Sequence, residues 1–101
     1  MLIGGPNDDT LTGGAAVDTI SYARTTTKVV VSLSRTTAQN TQGAGSDTIT
    51  TAENLIGTAK NDQLTGNAAR NTLDGGAGTD RCDGRGGQDS GPRCETKVSI
   101  P

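Results

Sequence analysis

Histidine, tryptophan and phenylalanine are absent from this 101-residue chain, and Tyr22 is its only aromatic residue. Without histidine there can be no histidine-based catalytic triad and no HExxH zinc site, and no GxSxG nucleophile elbow occurs either. The shortage of aromatic rings removes the usual platform for a sugar substrate. It also removes the bulk of a conventional core, and Leu, Ile and Val together number only 16. Long hydrophobic runs are lacking too, so no segment approaches a transmembrane helix and no membrane span is expected. The start MLIGGPN has neither the charged nor the apolar region of a signal peptide, and the chain is expected to be a piece of something larger. Nine basic and eleven acidic residues leave a net charge of −2, with no basic cluster to suggest nucleic acid.

What the chain has in quantity is glycine, fifteen residues of it, together with Thr, Asp and Asn. Ordering so flexible a backbone carries a large entropic cost. With little apolar surface to bury, something else must offset that cost, and a bound metal is the natural candidate. At this length a single module, 1–101, is expected.

Residues 57–92 read as four consecutive nine-residue units: GTAKNDQLT, GNAARNTLD, GGAGTDRCD and GRGGQDSGP. Each opens with glycine, at Gly57, Gly66, Gly75 and Gly84. The sixth place holds Asp62, Asn71, Asp80 and Asp89, and the eighth holds Leu64, Leu73, Cys82 and Gly91. A period this short fits a coil in which each turn contributes a glycine-rich bend and a very short strand. Glycine at the opening places permits positive φ and tight curvature, which points main-chain carbonyls inward toward the place where the Asp carboxylate arrives. The lone aliphatic of the eighth place faces a narrow interior. Hard oxygen donors with no imidazole and no thiolate among them suit Ca²⁺, and suit zinc or copper poorly.

The same phase returns elsewhere. GGPNDDTLT (4–12) places Asp9 sixth and Leu11 eighth, and GGAAVDTIS (13–21) follows with Asp18 and Ile20. Residues 22–41 break the period: KVVVSLS (28–34) reads as a longer strand and the polar stretch after it as a loop. QGAGSDTIT (42–50) restores the phase with Asp47 and Ile49, and TAENLI (51–56) is a short spacer. The organisation expected is therefore first repeats at 4–21, an irregular coil at 22–56, regular repeats at 57–92 and a C-terminal cap at 93–101.

These units resemble the G-G-x-G-x-D-x-U-x repeats of the RTX, or haemolysin-type, calcium-binding family. GGAGTDRCD matches at every place except Cys82. The resemblance implies an all-β fold, a parallel β-roll or right-handed β-solenoid with Ca²⁺ bound in glycine-rich turns. Successive units would lie on opposite sides, and Ca²⁺ between stacked turns two units apart. It pairs Asp62 with Asp80 and Asn71 with Asp89, with carbonyls of Gly75, Ala77 and Thr79 among the ligands and the other opening glycines in the same turns. Partners for Asp9, Asp18 and Asp47 cannot be assigned through the insert. Lys60 and Arg70 stand where the family has a fourth-place glycine, so fewer ions than units are expected.

The resemblance also implies a non-catalytic, Ca²⁺-dependent folding module of a secreted bacterial protein, with a companion domain on a longer parent chain and an extracellular setting. A second reading is an adhesin or ice-binding surface on the same roll, to which Thr10/Thr12 and Thr48/Thr50 would contribute. Ordinary turn chemistry is the competing account of any single Asp, and it is the reading for Asp8 and both glutamates, while Asp74 and Asp83 at the ninth place are read as solvent-facing strand ends or distant supports of the site. Repetition in phase favours metal ligation for the sixth-place residues. Cys82 at an interior place and Cys94 just past the last unit are read as a disulfide that fastens the end of the roll. Two buried free thiols are the alternative, and zinc is disfavoured. A last edge strand is expected within ETKVSIP.

Overall fold

The computed structural model describes residues 2–3, 9–14, 17–35, 37–43, 45–67, 70–85, 89–91 and 93–98. The turn of the first unit with Pro6 and Asp8, residues 86–88, Pro92 and 99–101 lie outside the described residues. Among the described residues there are eleven strands and no helix, and so no helix long and apolar enough to cross a membrane.

The strands are β1 (Leu2–Ile3), β2 (Thr10–Thr12), β3 (Thr19–Ser21), β4 (Val30–Ser32), β5 (Gln39–Asn40), β6 (Ser46–Thr50), β7 (Asn54–Ile56), β8 (Gln63–Thr65), β9 (Thr72–Asp74), β10 (Arg81–Asp83) and β11 (Thr96–Val98). They form parallel sheets in the orders β1-β3-β7-β9 and β11-β10-β8-β4, with a third sheet β2-β6-β5. Successive nine-residue units alternate between the two large sheets, so strands two units apart stack in register: Leu55 on Leu73, and Leu64 on Cys82. This is the parallel roll that the period implies.

Three-residue strands present one side chain inward and two outward. In β8, β9 and β10 the inward place is the eighth of the unit, and Leu64, Leu73 and Cys82 are fully buried there. Ile20, Leu55 and Leu73 from one sheet meet Val31, Leu64 and Cys82 from the other in one narrow core, to which Leu11, Tyr22, Val29, Leu33, Ile49, Ala52 and Cys94 also belong. Truncating such a residue, Leu64→Ala for instance, costs about 2–5 kcal/mol.

The insert differs from its sequence reading in two ways. The strand expected over 28–34 is only three residues long, Val30–Ser32. Val29, Val31 and Leu33 do alternate inward, but the chain bends after Ser32, whose hydroxyl accepts the N–H of Ser34 at 3.2 Å. The strand is thereby cut to the width of the sheet it joins. The stretch read as loop contains β5, which pairs antiparallel with the start of β6. Gln39 is buried there because its amide brackets Ser32, accepting its N–H and donating to its carbonyl, each at 2.8 Å.

At the other end β11 adds parallel to β10, the edge strand expected after Cys94. Cys82 and Cys94 are joined in a disulfide, with Cα atoms 5.9 Å apart and a sequence separation of 12. Closing a loop of this size stabilises by about 3 kcal/mol. Lys97 aligns with Cys82 but is exposed, so it is the buried Cys94 that closes the apolar file at this end.

Candidate metal centre

In the regular units each sixth-place residue immediately precedes a short strand or bridge and turns its side chain back under the bend of its own unit. Asp62, Asn71, Asp80 and Asp89 are all buried. The two pairings implied for the regular units are present as hydrogen bonds. Asp80 Oδ1 accepts the backbone N–H of Asp62 at 2.7 Å, and Asp89 Oδ1 accepts that of Asn71 at 2.7 Å. The rule continues through the insert: Asp62 Oδ1 accepts from Val29 N–H at 2.9 Å and Asp47 Oδ1 from Asp9 N–H at 2.8 Å. Asp9 therefore stacks with Asp47, a partnership that could not be assigned from sequence.

The second side-chain oxygen divides these residues into two groups. In the first it is filled by the protein. Asp62 Oδ2 accepts the N–H of Thr58 while Oδ1 also accepts the Thr58 hydroxyl, both at 2.8 Å. Asp47 Oδ2 accepts the Tyr22 hydroxyl at 2.7 Å. The Asn71 amide donates to Glu53 O at 2.7 Å and Asn67 Oδ1 at 3.1 Å, and its oxygen accepts from Asn67 N–H at 2.8 Å. In the second group, Asp18, Asp80 and Asp89, Oδ2 is buried and accepts no hydrogen bond among the described residues. A carboxylate oxygen stripped of water without a donor is strongly unfavourable. Burial raises the Asp80 pKa to about 7, the neighbouring Asp62 and Glu95 carboxylates adding to the rise.

The opening glycines are required by these carboxylates. A methyl group on Gly57 would lie 2.6 Å from Asp62 Oδ2 and 3.2 Å from the Gly75 carbonyl oxygen two units on. On Gly75 it would lie 2.6 Å from Asp80 Oδ2 and 2.5 Å from the Arg93 carbonyl oxygen. Gly66 faces the Asn71 side chain and Gly84 O in the same manner, and Gly84 faces Asp89. Positive φ belongs instead to the second and fourth places, Gly76 at 73° and Gly78 at 87°. Ala77 and Thr79 sit in the exposed part of that turn, where Thr79 donates its N–H to Asn61 Oδ1 at 2.8 Å.

Oxygens of a carboxylate and a carbonyl thus converge at the cradles of Gly13, Gly57 and Gly75. Among the described residues no three acidic or thiol side chains gather into one cluster. A cation here would therefore draw on one or two carboxylates, carbonyls and water, a donor set that fits Ca²⁺. The ion pairs described, Arg85 with Asp83 and Arg93 with Asp74, involve ninth-place acids and leave the buried Asp80 and Asp89 uncompensated.

Two acids that sequence reasoning set aside belong to this pattern. Glu53 Oε1 accepts the N–H of Asp18 at 2.8 Å, and Glu95 Oε1 accepts that of Asp80 at 2.7 Å. Both directly precede a strand, β7 and β11, as Asp9, Asp18, Asp62 and Asp80 do, and that phase was the available signal. The Tyr22–Asp47 bond had no signal in the spacing. Threonines stack as Thr10 on Thr48 and Thr12 on Thr50, with 3.3 Å between the second pair of hydroxyls. The rank ends there, because β6 next pairs with Gln39 and Asn40.

A family model described as RTX calcium-binding nonapeptide repeat matches the chain in four copies, over residues 1–24 and 56–90. No curated protein matches it. The unmatched interval, 25–55, holds most of the insert, the 42–50 unit that carries Asp47, and nearly all of the short spacer.

Proposed function

The chain belongs to the RTX calcium-binding nonapeptide repeat family, and from that premise we propose that it is a non-catalytic module whose folding and stability depend on Ca²⁺. The observation that carries this reading is the unpartnered, buried Oδ2 of Asp80 beside the Gly75 cradle. The metal supplies the positive charge that no Lys or Arg brings to this carboxylate. Asp80 and Asp89 are the residues to hold it, with carbonyls of the stacked turns. Asp9, Asp18, Asp47, Asp62 and Asn71 extend the same ranks, but in Asp47, Asp62 and Asn71 protein donors already take the place of an ion. This supports fewer ions than units.

At low calcium the unneutralised carboxylates repel and the narrow core compensates only in part. In an extracellular medium, with affinities of about 10⁻⁴ to 10⁻³ M typical of such modules, binding pulls the chain to the folded state by mass action. The setting we infer is secretion from a bacterium as part of a longer protein, with a companion domain that this module steadies. The Cys82–Cys94 disulfide supports an oxidising compartment. An adhesive or ice-binding role has less support, because its threonine rank is only two rungs deep.

The test is far-UV circular dichroism of the EGTA-treated chain, titrated with Ca²⁺ and, as control, Mg²⁺. A gain of β-structure specific to millimolar Ca²⁺ is expected. A folded spectrum that ignores Ca²⁺ sinks the dependence.

A further inference from the structure

Two short turns outside the matched repeats are built alike. Thr51-Ala52-Glu53 leads into β7 and Arg93-Cys94-Glu95 leads into β11. Each opens on a non-glycine residue in the left-handed region, Thr51 at φ 54° and Arg93 at φ 56°. Each then buries a small residue, Ala52 or Cys94, and presents a glutamate. The hydrogen bonds are the same atom for atom. Glu53 and Asn54 donate their N–H groups to Asp18 O at 3.1 Å, and Glu95 and Thr96 donate theirs to Asp80 O at 3.1 and 3.0 Å. In return Asp18 N–H and Asp80 N–H reach the glutamate Oε1 at 2.8 and 2.7 Å.

These turns take the place of a nonapeptide bend with the middle removed. In a regular layer the carbonyl of the opening glycine two units on points at the cradle, as Gly75 O does at Gly57. Here Thr51 O points at the cradle of Gly13, and Arg93 O at that of Gly75. The carboxylates beneath them, Asp18 and Asp80, each have an unpartnered buried Oδ2, that of Asp80 in a residue only 1 % exposed. Where the stacked layer is instead a full bend, over Asp62, the oxygen is filled by Thr58.

We propose that each short turn supplies the ligands that complete a divalent-cation site, at the Asp80 position already described and at Asp18. One is formed by Asp80, Glu95 and the Arg93 carbonyl, the other by Asp18, Glu53 and the Thr51 carbonyl. The ligand is a hard cation, Ca²⁺ by its oxygen donors, with water filling the coordination that the missing residues of the bend leave open. Arg93 and Glu95 are exposed, so the first site loads from solvent at the end of the roll. The disulfide through Cys94 holds its turn in place. This inference rests on the calcium-binding reading above and extends it to residues that the family match leaves out.

The test is isothermal titration of the full oxidised chain with Ca²⁺, for the native protein and for Glu95→Gln and Glu53→Gln. Glutamine keeps an oxygen to accept the Asp N–H, so the variants remove charge and preserve the backbone bracket. Each is expected to lose one ion from the stoichiometry, or to bind it more than about tenfold more weakly, with the other sites unchanged. The double variant is expected to lose both. If Glu95→Gln fails to fold, as circular dichroism would show, Glu53→Gln carries the test through the equivalent turn. Native protein that binds Ca²⁺ while both variants match it overturns the proposal and leaves the calcium-binding reading intact. Native protein that binds none overturns both.

Discussion

Tyr22 donates its hydroxyl to Asp47 Oδ2 at 2.7 Å across 25 residues of sequence, and both side chains are completely buried. The phenol is held in its neutral, donating form: burial raises its pKa far above the usual value, and the Asp47 carboxylate raises it further. Asp47 in turn holds Asp9 N–H through its other oxygen. One aromatic residue thereby ties the insert to the first and third repeats and satisfies a carboxylate without metal.

Tyr22→Phe keeps the ring and deletes the donor. It is expected to destabilise the chain by about 1–3 kcal/mol, the cost of leaving a buried acceptor unmet. Urea denaturation in EGTA measures it through the midpoint at unchanged m-value. A midpoint equal to that of the native chain means that the bond contributes nothing.

The regular repeats were legible because every unit repeats one decision. The nine-residue phase marked Leu64, Leu73 and Cys82 as one inward place, and the family resemblance paired Asp62 with Asp80, which the structure joins by a hydrogen bond. The insert was less legible because its register depends on contacts that no local pattern encodes. Val30 N–H goes to Thr41 O, and the Gln39 amide closes on Ser32, so a run of β-branched residues became a three-residue strand. Glu53 and Glu95 follow no glycine-rich bend, although their place directly before a strand is that of Asp9, Asp18, Asp62 and Asp80. The division between filled and unfilled carboxylates could not be read from phase at all. It depends on whether a donor such as the Thr58 N–H or the Tyr22 hydroxyl reaches the second oxygen, which is a property of packing.

Asn71 offers a second probe, since its amide supplies donors where the phase calls for an acid. Asn71→Asp replaces a donor to Glu53 O by an acceptor facing it across what is now 2.7 Å. The metal-free variant is expected to lose about 1–3 kcal/mol. Calcium should restore more stability to it than to the native chain, because the variant gains a carboxylate in the rank that ends at Asp89. Thermal unfolding with and without Ca²⁺ compares the two. An equal calcium response in both chains counts against metal entry at this layer.

The acid–base behaviour of Asp80 gives the remaining prediction. Its pKa rises from 3.8 to about 7 in the folded, metal-free chain, first because it is buried and then because Asp62 and Glu95 lie near. A carboxyl group with a raised folded pKa favours folding while it is protonated. Its contribution is complete below 3.8 and is lost as pH climbs through about 7. Asp74 acts in the opposite sense, its pKa being lowered chiefly by its hydrogen bond from Arg93, but its effect falls below 3.8 and so outside this window. In EGTA the unfolding midpoint should therefore decline from mildly acid to neutral pH, and Asp80→Asn should flatten the decline. Calcium replaces the proton at Asp80, so saturating Ca²⁺ should remove the decline in the native chain and Ca²⁺ affinity should rise over the same interval. A native midpoint in EGTA that tracks the Asp80→Asn variant at every pH means that Asp80 is already ionised without strain, and the need for a cation at its side disappears with it.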